Sequence, residues 1–225
     1  MFIILALIGT LALTTIVAMI ARDRGPSLLI GFFVAAVIIS TVTAGKLVNA
    51  WGYTVSAAIL LYSATFLATD TLSEFWGKSV AKKAVIAGLV ADILLVYAVQ
   101  VTILWEPSRF WGHQEALQAI LGSTWRIVVA SVLAYVLAQT HDILSYDFWK
   151  RRTNDRHLWL RNNASTWVSQ TIDTVIFYTV AFYGIIPLLP LITVTLVFKI
   201  GIAIIDTPFL YIIKWHFGKK NRAEN

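Results

Sequence analysis

Apolar residues run in long stretches along this chain, and seven of the stretches are close to the length of a bilayer span: 1–21, 27–47, 55–76, 84–105, 119–140, 165–186 and 191–213. A hydrocarbon core about 30 Å thick takes roughly 20 residues of helix, and these runs are continuously apolar rather than alternating in and out as barrel strands do. Lipid offers no partner to backbone N–H and C=O groups, so the runs predict helices. The expected fold is all-α, a polytopic transmembrane helix bundle of six to seven spans, with seven favoured. The third run is the least clear, because Asp70 and Glu74 stand near its end.

The polar segments between the runs set the organisation. The first run has no basic residue before it and no small-residue cleavage pattern, and it stops at Arg22-Asp23-Arg24-Gly25-Pro26, which reads as a turn. It is expected to be a retained helix. The stretch 142–164 mixes Phe148, Trp149 and Trp159 with basic residues and is expected to lie at the headgroup level as a cytoplasmic interfacial segment. The rest of 1–225 reads as one integral membrane domain with a basic cytoplasmic tail at 214–225.

Composition and charge sharpen this picture. Hydrophobic residues make up 58% of the chain and charged residues 13%, against roughly a quarter charged in an ordinary globular protein. With the N-terminus outside, 14 of the 18 lysines and arginines fall in cytoplasmic segments: Arg22 and Arg24; Lys78, Lys82 and Lys83; Lys150, Arg151, Arg152, Arg156 and Arg161; and Lys214, Lys219, Lys220 and Arg222. The positive-inside rule then predicts a cytoplasmic C-terminus and a multi-pass protein of the plasma (cytoplasmic) membrane. Topology and anionic lipid account for the pI near 9.6, so nucleic acid is not an expected partner. The absence of cysteine excludes disulfides and thiolate metal sites, and His113, His141, His157 and His216 lack ligand spacing. Neither a metal nor a cofactor is expected. The sequon Asn163-Ala164-Ser165 falls on the cytoplasmic side, where Ser165 or Thr166 reads as a helix cap.

The chemistry has to come from ionisable groups within the spans, which usually face a bundle interior and mark a pathway or an ion pair. These are Asp70 and Glu74, four apart on one helical face, then Asp92, Arg126, Asp173, Lys199 and Asp206. At 1.5 Å per residue, Asp92 and Asp173 lie about 12 Å inside their spans, near the midplane. Ser165, Ser169, Asp173 and Phe177 recur every four residues with Gln170 beside them, a polar stripe ending in an aromatic platform. Five acids against two deep bases leave carboxylates unpaired, which suits a solute or proton site. Asp70-Thr71-Leu72-Ser73-Glu74-Phe75-Trp76-Gly77-Lys78 also resembles Asp142-Ile143-Leu144-Ser145-Tyr146-Asp147-Phe148-Trp149-Lys150 with a one-residue shift. Such a pair suits either an internal repeat or two ordinary interfacial helix ends.

The run His157-Leu158-Trp159-Leu160-Arg161-Asn162-Asn163-Ala164-Ser165-Thr166, followed by Ser169-Gln170 and Asp173, resembles the signature of the queuosine precursor transporter family. Asn49, Asp70-x-x-x-Glu74-x-Trp76-Gly77-Lys78, Arg126 with Ser131 and Tyr135, and Lys199 with Thr207-Pro208 and Tyr211 follow in the family's order, over roughly residues 30–215. The chain departs from that pattern between Ala57-Ala58 and Tyr62-Ser63-Ala64, where a proline is expected. The resemblance implies a membrane transporter importing a 7-deazaguanine precursor of queuosine (or archaeosine), preQ0 or preQ1. Such a purine-like cargo presents a planar face, a donor edge that a carboxylate can accept, and a carbonyl that needs a donor. Asp173 or Glu74 is expected at the donor edge, Gln170, Asn49 or Arg126 at the carbonyl, and Phe177 or Trp167 against the face. Asp70, Asn163, Lys199 and Asp206 complete the candidate substrate-binding set. Asp92 lies outside the motifs, so its neutralisation is expected to be milder than that of Asp173.

Two alternatives stand beside a carrier. One is the substrate-binding subunit of a vitamin-type importer that needs an energising partner. The other is a membrane-embedded enzyme built on Asp173 and Asp206, which is disfavoured because the glycine motif of intramembrane aspartyl proteases is missing around Asp206. No enzymatic activity is expected, and the oligomeric state, monomer or homo-oligomer, stays open.

Overall fold

The computed structural model describes residues 2–44, 46–50, 52–122, 125–154, 156–184 and 187–221. Its helices are α1 (Phe2–Arg24), α2 (Ser27–Thr43), α3 (Ile59–Phe75), α4 (Lys78–Leu104), α5 (Gln114–Leu121), α6 (Trp125–Arg152), α7 (Leu158–Phe182) and α8 (Leu188–Asn221). Between α2 and α3 stands an antiparallel hairpin, β1 (Leu47–Ala50) and β2 (Tyr53–Ser56). The hairpin corrects the expectation of helix at 47 and at 55–58. Gly52 turns it at φ +87°, a conformation that costs glycine nothing, and Asn49 Oδ1 accepts the Gly52 N–H at 2.9 Å.

Six long helices form a closed ring in the order α1, α2, α4, α6, α7, α8, and the seventh, α3, fills it, packing on α1, α2, α4, α6 and α8. Eleven consecutive residues of α3, Ser63–Ser73, are buried. A helix buried on every face has to be enclosed all round, and α3 is. The ring helices instead bury one stripe; on α4, Ile86, Val90, Ile93, Leu94 and Val101 point outward. Lipid is the solvent that tolerates such a surface, and the fold is that of a helical membrane protein.

Among the described residues three helices are long and apolar enough to cross a membrane: α1, α4, and α8 over Leu188–Gly218. The helices α3 and α7 carry many polar side chains, and these point inward: Asp70 on α3, and Arg161, Asn162, Asn163, Ser165, Ser169 and Asp173 on α7, are all buried. Two element boundaries also differ from the sequence reading. Residues 119–121 end the separate short α5, and α6 runs on to Arg152; α7 starts at Leu158, seven residues before the apolar run. The stretch 142–164 is therefore the end of one long helix and the start of the next, with Asp142, Tyr146, Arg161 and Asn162 buried.

The basic ends of α1, α4, α6, α7 and α8 gather at one end of the bundle, around Glu74 at the end of α3. Arg22 of α1 donates to His216 O of α8 at 2.7 Å, Lys78 meets Asp147 at 3.5 Å, and Lys150 and Lys214 both reach Glu74. Near the middle of its length, α4 passes close to its neighbours at Gly88. A Cβ there would meet Tyr135 Oη at 2.4 Å and Phe33 Cε1 at 2.8 Å. Absence of a side chain at Gly88 lets α2, α4 and α6 approach, one turn before Asp92.

Candidate functional site

A cavity of about 110 Å³ lies in the half of the bundle away from the basic ends, between the C-terminal part of α2, the start of α3, and the middle of α4, α6, α7 and α8. Ten or more cubic ångströms of such space hold a water, so this volume holds several waters or one small solute. Asp173 and Lys199 form an ion pair in its wall. Tyr62 Oη donates to Asp173 Oδ1 at 2.9 Å, and the Lys199 ammonium sits 5.4 Å from the Tyr62 ring centroid. Phe177 and Tyr178 add ring surface, and Thr195 Oγ1 donates to Tyr178 Oη at 3.1 Å. Asp92, on α4, lines the same space together with Ser40 and Tyr135.

A polar network of a different kind lies toward the basic end. Glu74 is its hub: it pairs with Arg161, which is fully buried, with Lys214 at 2.9 Å and with Lys150 at 3.5 Å. Tyr146 Oη donates to Glu74 Oε2 at 3.3 Å. One carboxylate thus joins α3 to α6, α7 and α8. Asn162 Nδ2 donates to Asp206 Oδ1 and to Thr207 Oγ1, each at 3.1 Å, and Asn163 Nδ2 to Thr207 Oγ1 at 2.8 Å. Asp70 and Asp142 bring their carboxyls together, with the hydroxyls of Ser165 and Ser169 beside Asp142. Two buried carboxylates in contact repel unless a proton lies between them. The two segments that resemble each other in sequence therefore pack on each other: Asp70 meets Asp142, and Lys78 meets Asp147.

These contacts divide the sequence-derived candidates. Asp173, Phe177 and Lys199 line the cavity. Asp70, Glu74, Asn163 and Asp206 belong to the network below it. Gln170 is buried one turn from Asp173 with its Oε1 unbonded, but does not line the cavity. Asn49 is exposed on the hairpin beside a separate apolar groove, and Trp167 packs edge-on against Trp159, ring centroids 6.2 Å apart. The Arg126 side chain lies outside the described residues.

The expected surplus of unpaired carboxylates is corrected in its membership. Asp173 and Glu74 are both ion-paired and Asp206 accepts an amide, leaving Asp70, Asp92 and Asp142 without a cation among the described residues. Nor do Asp173 and Asp206 form a pair: each has its own partners, so the geometry of an aspartyl dyad is absent there. Sequence reasoning missed Tyr62, Asp142 and the three cations on Glu74. Asp142 was signalled by its match to Asp70, and Arg161 by its motif.

A family model described as a putative vitamin uptake transporter matches residues 56–213. A probable queuosine precursor transporter of Bacillus subtilis is 36% identical over 189 residues, 82% of this chain and 81% of the relative. The chain belongs to the queuosine precursor transporter family. The queuosine precursor transporter of Escherichia coli is 30% identical over 118 residues, 52% of this chain and 51% of its own. A probable queuosine precursor transporter of Haemophilus influenzae is 27% identical over 124 residues, 55% of this chain and 50% of its own. Against these two, the chain aligns over about half of the relative's length. No solved structure matches. The family match covers α3 through most of α8, and so includes the central helix, the Glu74 hub and most of the cavity wall.

Proposed function

We propose that this protein imports a 7-deazaguanine queuosine precursor, preQ0 or preQ1, across the cytoplasmic membrane through the cavity at Asp173 and Lys199. The observation that carries the reading is that one cavity offers the three complements a guanine-like ring needs. A carboxylate, Asp173, accepts from the N1–H and 2-amino edge. An ammonium, Lys199, donates to the carbonyl. The rings of Phe177 and Tyr62 flank the planar face. Asp173 and Lys199 satisfy each other across the cavity wall, so an entering ring exchanges one set of charge-assisted bonds for another and leaves no buried charge bare.

The reading includes a direction. With seven spans and a cytoplasmic C-terminus, the basic end is the inner end, the cavity belongs to the outer half, and the Glu74 hub stands between the cavity and the cytoplasm. Release inward then requires α3 to part from α6, α7 and α8 at Glu74. Cysteines placed at the exposed positions Phe110 and Arg152 test the orientation in this cysteine-free chain. An impermeant thiol reagent on intact cells should label Phe110→Cys and leave Arg152→Cys untouched; labelling of Arg152→Cys overturns the orientation.

Function is tested by expression in a bacterium that neither makes deazaguanines nor has its own importer. Queuosine should reappear in tRNA at limiting external preQ0 or preQ1, seen as tRNA retarded on boronate gels. An unshifted tRNA band, from cells whose membranes contain the protein, overturns the cargo.

A further inference from the structure

Asp92 is the one carboxylate of the cavity that no cation meets among the described residues. Its residue is 3% exposed. The Thr41 hydroxyl lies beside it, and Oδ1 has no hydrogen-bond partner among the described residues. Next to Thr41 on α2, Ser40 is 5% exposed and its Oγ is also unbonded, and it lines the same cavity. The other groups facing Asp92 are the phenols of Tyr62 and Tyr135, which bring no positive charge. Lys199, the one cation among the described lining residues, is held by Asp173.

Among the described lining residues the charges therefore do not balance. Asp92 and Asp173 face a single Lys199, and a carboxylate taken out of water without a counter-ion is costly. A cargo carrying one positive charge restores the balance. An ammonium group has three N–H donors and accepts nothing, which matches two oxygens without a partner on residues that line the one cavity, Asp92 Oδ1 and Ser40 Oγ. A nitrile brings no donor to Asp92, and a hydroxyl brings one hydrogen and no charge.

We infer that Asp92, with Ser40 beside it, forms a subsite for a primary ammonium group on the cargo, so that the cavity favours an aminomethyl-bearing 7-deazaguanine over neutral ones. This rests on the cargo reading above, with the ring at Asp173 and Lys199 and its substituent directed to α4.

Binding to the purified full-length protein tests it, with three probes: 7-aminomethyl-7-deazaguanine, its hydroxymethyl isostere and the 7-cyano compound. The wild type should bind the amine at least about tenfold more tightly than the hydroxymethyl isostere, the value of one hydrogen bond to a charged group. That comparison needs no variant. Asp92→Asn should erase most of the preference while leaving the affinity for the 7-cyano compound within about threefold of wild type, since the nitrile has no donor to lose. Equal affinity of the wild type for amine and hydroxymethyl probes, or parallel weakening of amine and nitrile in Asp92→Asn, overturns the subsite while the cargo reading survives. Failure of all three probes to bind the wild type removes both.

Discussion

Asp173→Asn is expected to abolish precursor uptake, by a factor of about 100 or more, while the protein remains inserted in the membrane. The substitution keeps the size of the side chain and its acceptor for Tyr62, so packing at the cavity wall changes little. It removes the charge that holds Lys199, whose side chain is 11% exposed. A cation left bare in such a place costs about 3–5 kcal/mol, roughly two to three and a half orders of magnitude in any equilibrium that depends on the site. The same change takes from the cargo the carboxylate that would accept its donor edge. Radiolabelled uptake in whole cells, with membrane content checked by blot, reads the effect. The double variant Asp173→Asn with Lys199→Met separates the two roles, because it leaves no charge unpaired. It should recover wild-type thermal stability in detergent and still not transport. Recovery of transport in the double variant would make the pair structural only.

Glu74→Gln carries the largest expected loss of stability. Arg161, Lys150 and Lys214 share its carboxylate, and Arg161 is fully buried. Breaking a buried pair by removing one partner costs about 3–5 kcal/mol, which for a chain of this size is roughly a 6–20 °C fall in the melting midpoint. Since Glu74 joins four helices at the end opposite the cavity, the variant should also lose at least about tenfold in uptake, the rate equivalent of about 1.4 kcal/mol. Glu74→Asp, which keeps the charge on a shorter stem, should lose less of both. A Glu74→Gln protein with an unchanged midpoint would remove the hub from the account of what holds the inner end together.

Asp92 shows how a sequence reading and a structure can weigh one residue differently. It stands outside the motifs that identify the family, so its neutralisation was expected to matter less than that of Asp173. Its place in the cavity now gives it a distinct role, in discrimination among cargoes. The two expectations are compatible: Asp92→Asn can spare neutral cargo and still lose the cationic one.

What the linear pattern decided was solvent and inventory. Apolar runs the length of a bilayer allow only helices, because lipid satisfies no backbone group. The few ionisable residues inside them had to point inward, since facing lipid costs each several kcal/mol. The motifs around Asn163, Gln170 and Asp173 were enough to place the chain in its family. The pattern missed the β-hairpin at 47–56, because a short apolar strand and the end of an apolar helix read alike.

Which acid meets which base was settled only by the tertiary structure. A one-residue change in position turns a side chain by about 100° around its helix, and the order of six helices around α3 sets which faces look at each other. Neither quantity is written in local sequence. Ring order put Lys199 on Asp173, three cations on Glu74 and Asp142 on Asp70, and it left Asp92 with no cation of its own among the described residues. Depth along a helix could be counted from the sequence; direction around it had to come from packing.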